Sequence, residues 1–74
     1  MDGEYLDLKG LKCPLPAIKT RRALGRLAPG TALTVACTDP LATLDIPNLV
    51  RETGDALEAQ IVEGATATFR IRKR

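Results

Sequence analysis

Residues 57–72, LEAQIVEGATATFRIR, decide the fold. Leu57, Ala59 and Ile61 alternate with Glu58, Gln60 and Val62, and beyond Glu63-Gly64 the residues Ala65, Ala67, Phe69 and Ile71 alternate with Thr66, Thr68, Arg70 and Arg72. Successive side chains of a strand point to opposite faces, so a period of two marks a strand with one face on a core and one toward water. Glu63-Gly64 is a short turn, and two alternating runs joined in this way read as a β-hairpin.

Working outward toward the start of the chain, Asp45 is expected to cap a short helix with Pro47 in its first turn. Ile46, Leu49, Val50 and Thr53 make its inward face and Gly54 stops it. Asp39-Pro40 is a turn, and residues 31–37 form a strand with Leu33, Val35 and Cys37 on one face. A longer helix begins after Cys13 and runs to about Leu27, where Pro29-Gly30 ends it. Ala17, Thr20, Leu24 and Leu27 face the core, while Lys19, Arg22 and Arg26 make a basic stripe on another face. Leu6 and Leu8 alternate with Tyr5 and Asp7 as a short first strand that Gly10 ends.

The order is therefore βαβαββ, and every strand has one apolar face. A single sheet with both helices on one side satisfies this, so the expected fold is a two-layer α/β sandwich. Helical crossovers join parallel strands and the hairpin adds an antiparallel pair, which makes a mixed sheet. Residues 1–74 are expected to form a single domain.

Composition narrows the chemistry. The chain has 74 residues, a net charge of +2, two cysteines and no histidine. A Ser-His or Cys-His hydrolase is excluded, and two cysteines are too few for a zinc site within one chain or a secreted disulfide framework. No metal or cofactor is expected. Tyr5 and Phe69 are the only aromatics, too few for a base-stacking platform, so no direct nucleic-acid partner is expected. No apolar run reaches the roughly 18 residues of a membrane helix, and Met1-Asp2-Gly3-Glu4 lacks a secretory pattern, so the cytoplasm is the expected location. The charge is uneven. No acidic residue lies between Asp7 and Asp39, a stretch holding Lys9, Lys12, Lys19, Arg21, Arg22 and Arg26.

Cys13 sits inside that basic stretch, in Gly10-Leu11-Lys12-Cys13-Pro14-Leu15-Pro16. Proline is tolerated in the first turn of a helix, so Pro14 fits the first helical position, Pro16 the third, and Cys13 the N-cap. Two fixed φ angles stiffen this corner. A helix N-terminus stabilises an anion by about 0.3–1 kcal/mol, and Lys12 adds positive charge, so the expected thiol is more acidic than a free cysteine. Such a thiolate can attack the sulfur of a partner's persulfide without a general base. The same residue also fits a small, inert apolar position at a helix start. Cys37, facing the core, reads as a buried thiol, with a resolving cysteine as the alternative. Asp39 and Asp45 are given turn and cap roles only.

The segment Leu8-Lys9-Gly10-Leu11-Lys12-Cys13-Pro14-Leu15-Pro16 resembles the signature of the TusA-like (SirA-like) sulfur-carrier family. The likeness continues in register through Pro29-Gly30, Thr38-Asp39-Pro40, Asp45-Ile46-Pro47 and Phe69-Arg70-Ile71-Arg72-Lys73, nearly the whole chain. It implies a βαβαββ sandwich and a sulfurtransferase-type carrier, with a persulfide on Cys13 supported by Pro14 and Pro16. It also implies a protein sulfur donor, such as a cysteine desulfurase or a rhodanese, and a protein acceptor. Lys9, Lys12, Lys19, Arg22 and Arg26 are the expected partner-binding residues, and the carrier is expected to be a monomer. Leu15 and Asp55 stand where the tRNA-thiolation member usually has Glu and His. The family's pathways include tRNA thiolation, cofactor sulfuration, sulfur oxidation or uptake and selenium handling, and the residues select none of them. The competing readings are a small α/β nucleic-acid-binding module and an accessory protein that docks on a membrane transporter of sulfur compounds.

Overall fold

The computed structural model describes residues 3–74. Strand β1 (Gly3–Leu8) leads into helix α1 (Leu15–Arg26), strand β2 (Ala32–Cys37), helix α2 (Ala42–Thr53) and the hairpin of β3 (Ala56–Glu63) and β4 (Thr66–Arg72). The sheet order is β1-β2-β4-β3, with β1 parallel to β2 and both other pairings antiparallel. The βαβαββ sandwich with a mixed sheet is thus the observed architecture.

Both helices lie on one face of the sheet. Leu8, Leu33, Val35, Cys37, Ala67, Phe69 and Ile71 from the strands form one cluster with Ala23 and Leu24 of α1 and Ala42, Ile46 and Val50 of α2. The inward face expected for α2 is observed, with Ile46, Leu49 and Val50 buried and Thr53 half-buried. Gly54 ends the helix at φ +80°, a conformation that favours a residue without a Cβ. In α1 the buried residues are Pro16, Thr20, Ala23 and Leu24, with Leu27 packed against the cluster from just beyond the helix; the expected set lacked Pro16 and Ala23, and Ala17, expected in the core, is only half-buried.

Three local expectations need correction. The alternation of residues 57–62 is broken by a register shift between Leu57 and Ala59. Leu57 pairs with core-facing Ile71, but after the shift Gln60 opposes Phe69 and Ile61 opposes Thr68. A bulge adds a residue to one strand and so reverses which face each later side chain takes. Ile61 therefore lies on the water side, 55% exposed.

Asp45 does not cap α2. The helix starts earlier because the Asp39 carbonyl accepts the Ala42 N–H at 3.0 Å and the Leu41 carbonyl accepts the Asp45 N–H at 2.9 Å. Leu41 is the N-cap, Asp45 is in the first turn, and Pro47 lies inside the helix. Nor does Cys13 cap α1. The Pro14 carbonyl accepts the Ile18 N–H at 3.1 Å, which makes Pro14 the cap and Leu15 and Pro16 the first two helical residues. The helix therefore begins one residue later than expected, and Cys13 belongs to the preceding turn.

Candidate functional site

Parallel pairing brings Leu8 level with Cys37, so the loops that follow β1 and β2 leave the sheet side by side. Crevices beyond the carboxyl ends of parallel strands are common binding places. Hydrogen bonds sew the two loops together. Gly10, at φ +86°, donates its N–H to Thr38 Oγ1 at 2.8 Å. Asp39 accepts the Leu41 N–H on Oδ1 at 2.9 Å and the Cys13 N–H on Oδ2. These bonds, from Leu41 first and Cys13 second, hold the Asp39 carboxyl below the usual carboxylate range against some desolvation, with Lys12 assisting.

Cys13 is exposed at this junction, and its Sγ donates to Asp45 Oδ2 at 3.0 Å. The start of α2 at Ala42 is what frees the Asp45 side chain for this contact. The hydrogen bond to Asp45 pushes the Cys13 thiol above its ordinary pKa, with desolvation and the charges of Asp45 and Asp39 acting in the same sense. The expectation of a thiol made more acidic by the helix and Lys12 is thus reversed, because two carboxylates next to the sulfur disfavour a thiolate.

The thiol stands between two clefts. One, of about 460 Å³, is lined by Gly10, Leu11 and Lys12 on one loop and residues 38–41 on the other. The second, of about 440 Å³, runs between α1 and α2 past Ile18, Arg21, Asp45 and Glu52. Leu41 on the first cleft and Ile18 on the second are 50% and 43% exposed, so the sulfur has apolar surface on either side. Cys37, by contrast, is fully buried, and burial, with the Asp39 charge adding, pushes its thiol up to about 11.

The basic residues do not form one field around Cys13. Lys12 lines the first cleft, and Arg21 lines the second, where its Nη2 pairs with Glu52 Oε1 at 2.9 Å. Lys9 is exposed in the turn, its N–H held by Asp7 Oδ1 at 3.0 Å. Lys19, Arg22 and Arg26 come together with Leu6 around a separate depression of about 160 Å³, which shares no residue with either cleft. Pro14 lines the second cleft, and Pro16 is buried in the first turn of α1.

Asp39 and Asp45 are the site residues that sequence reasoning missed. Their motifs were visible, but their proximity to Cys13 depends on the parallel register of β1 and β2 and on the true start of α2. Among the described residues no group of three or more His, Cys, Asp or Glu is placed to hold a metal, and no helix is long and apolar enough to cross a membrane.

A family model described as "Sulfurtransferase TusA" matches residues 4–73. The sulfur carrier protein TusA of Allochromatium vinosum is 35% identical over 70 residues, covering 95% of this chain and 92% of the relative. The protein of the same name from Pseudomonas aeruginosa is 39% identical over 69 residues, covering 93% and 87%. A crystal structure of a SirA-like protein from Desulfitobacterium hafniense superposes with a TM-score of 0.82 over 93% of this chain and 95% of that one, at 21% identity, and supports the fold.

Proposed function

Given that the chain belongs to the TusA sulfurtransferase family, we propose that it is a sulfur carrier that holds sulfane sulfur as a persulfide on Cys13 and relays it between proteins. The observation that carries this reading is the contrast between the two cysteines, one exposed between two clefts and the other sealed in the core. An exposed thiol can meet a partner's sulfur, whereas a buried one is inert. With no histidine in the chain, the transfer chemistry draws on partners as well as on the carrier. The thiolate of Cys13 attacks the outer sulfur of a donor persulfide, the donor S–S bond breaks, and the donor cysteine leaves as thiolate.

The donor is a protein of the cysteine desulfurase or rhodanese kind, and the acceptor is a second protein whose thiolate takes the outer sulfur in turn. Pro14 and Pro16 stiffen the backbone that presents the sulfur. Lys9 and Lys12 contact partners beside the thiol, and Lys19, Arg22 and Arg26 do so from the side of α1. The carrier works in the cytoplasm as a monomer between these encounters. Incubation with a cysteine desulfurase and cysteine, followed by peptide mass spectrometry, tests the reading. One added sulfur confined to the Cys13 peptide is expected, and a Cys13→Ser chain that still accepts sulfur would remove the assignment.

A further inference from the structure

Asp45 is tied to the thiol by a bond that sulfur carriage alone does not require. Its Oδ2 accepts from Cys13 Sγ at 3.0 Å, while Asp39 holds the Cys13 N–H from the neighbouring loop. Among the described residues the ion pairs are Arg21–Glu52, Arg70–Glu58 and Arg72–Glu58, and neither carboxylate takes part. The charged groups facing the thiol are Asp45 from α2, Asp39 from the β2–α2 loop and Lys12 from its own loop. Arg21 and Glu52 line the second cleft and neutralise each other. Two carboxylates against one ammonium leave negative charge at a sulfur that must itself become negative to attack.

We infer that Asp45 is a positioning residue that keeps the proton on Cys13 in the free carrier, and that the sulfur donor releases it by bringing a cationic side chain against Asp45. The inference rests on the carrier reading, since a carrier has to be quiet between partners and nucleophilic against one of them. The occupant it commits to is a protein surface bearing Arg or Lys beside apolar residues. The carboxylates supply the complementary charge, and exposed Leu41 and Ile18 supply the apolar contact.

Once the donor cation pairs with Asp45, Cys13 loses its proton to water. The Sγ electron pair forms a bond to the outer sulfur of the donor persulfide. The donor S–S bond breaks, its electron pair leaves on the donor cysteine sulfur, and that sulfur takes a proton from water. Cys13 thiol and donor persulfide become Cys13 persulfide and donor thiol, with no net oxidation. After loading, Sγ has no hydrogen to give, so the bond to Asp45 exists only in the empty carrier.

Alkylation of Cys13 by iodoacetamide across pH, read on the Cys13 peptide of the full chain, tests this in wild type, Asp45→Asn and Asp39→Asn. Asp45→Asn is expected to lower the midpoint by about 0.5–1 pH and to speed the reaction at pH 7 about three- to tenfold. Asp39→Asn, which bonds the backbone and not the sulfur, should move it less. In low salt a hexa-arginine peptide should speed alkylation of the wild type near neutrality and leave Asp45→Asn unaffected. An unchanged midpoint in Asp45→Asn, a larger shift in Asp39→Asn, or no response of the wild type to hexa-arginine would overturn the inference. Alkylation involves no sulfur transfer, so this outcome is separate from whether Cys13 is ever loaded.

Discussion

The Sγ of Cys13 and the Oδ2 of Asp45 lie 3.0 Å apart across 32 positions of sequence, and this contact sets the character of the thiol. It exists because α2 begins at Ala42 and points its first turn at the end of the β1–α1 loop. The same loop is pinned from the other side by Asp39. The sulfur is therefore held in place by two acidic residues and left open to solvent, an arrangement that favours orientation over spontaneous reactivity.

The two cysteines should separate cleanly in alkylation. Cys13 is expected to react in the native protein near neutral pH and Cys37 only when the protein is unfolded, a rate difference on the order of 100-fold or more. The rate at Cys13 should keep rising at pH values above the ordinary cysteine midpoint, since its pKa is raised. Equal native rates, measured by peptide mass spectrometry, would contradict the burial of Cys37.

Cys37 also carries a stability prediction. Its folded pKa of about 11 lies above the ordinary value of 9.0, so the folded state keeps a proton that the unfolded chain loses first. The resulting stability is complete below that ordinary value and is lost as pH rises from there through the folded one. Urea unfolding across that window should show a decline that Cys37→Ala makes shallower.

Residues 66–72 alternate without interruption, and β4 lies where that pattern puts it. In residues 57–62 the same alternation misplaced Ile61, because a bulge is decided by pairing with β4 and leaves period-two spacing intact in the sequence. The flanking prolines single out Cys13 in the sequence, yet the local charges give its thiol a shift of the wrong sign. Lys12 is a neighbour in sequence, while Asp39 and Asp45 arrive through the fold from far along the chain. Local reading sees charge within a loop, and tertiary contacts decide which charges touch the sulfur.

Thr20→Val is expected to stabilise the protein. Thr20 is fully buried, and its Oγ1 has no hydrogen-bond partner among the described residues. A buried hydroxyl without a partner forfeits its hydration, and valine keeps the branched shape without the polar atom. A gain of about 0.5–1.5 kcal/mol in chemical unfolding is expected. A loss would show that the hydroxyl is satisfied in solution.

Cys13→Ser should abolish sulfur loading and leave the fold intact. Cys13 precedes the helix cap and is exposed, so the substitution removes no core contact. A serine hydroxyl can still donate to Asp45. A thermal midpoint within about 2 °C of wild type is expected, corresponding to less than ~0.5 kcal/mol for a domain of this size. A large drop would mean that the cysteine is structural.

Reversing Lys19, Arg22 and Arg26 together to Glu is expected to slow sulfur transfer while leaving Cys13 alkylation nearly unchanged. The three surround one depression with Leu6, on a face whose lining is separate from both clefts beside the sulfur. None of them is among the charges that shift the Cys13 thiol. Their influence on transfer must therefore run through association with a partner, where charge acts over about 8–10 Å before salt screens it. Steering of this kind raises encounter rates at low ionic strength and fades as salt is added. Wild-type transfer should accordingly slow with salt, and the gap to the triple variant should narrow from about tenfold toward none. Equal transfer at low salt would show that this face is solvated surface alone. A changed alkylation profile would place the three residues in control of the thiol.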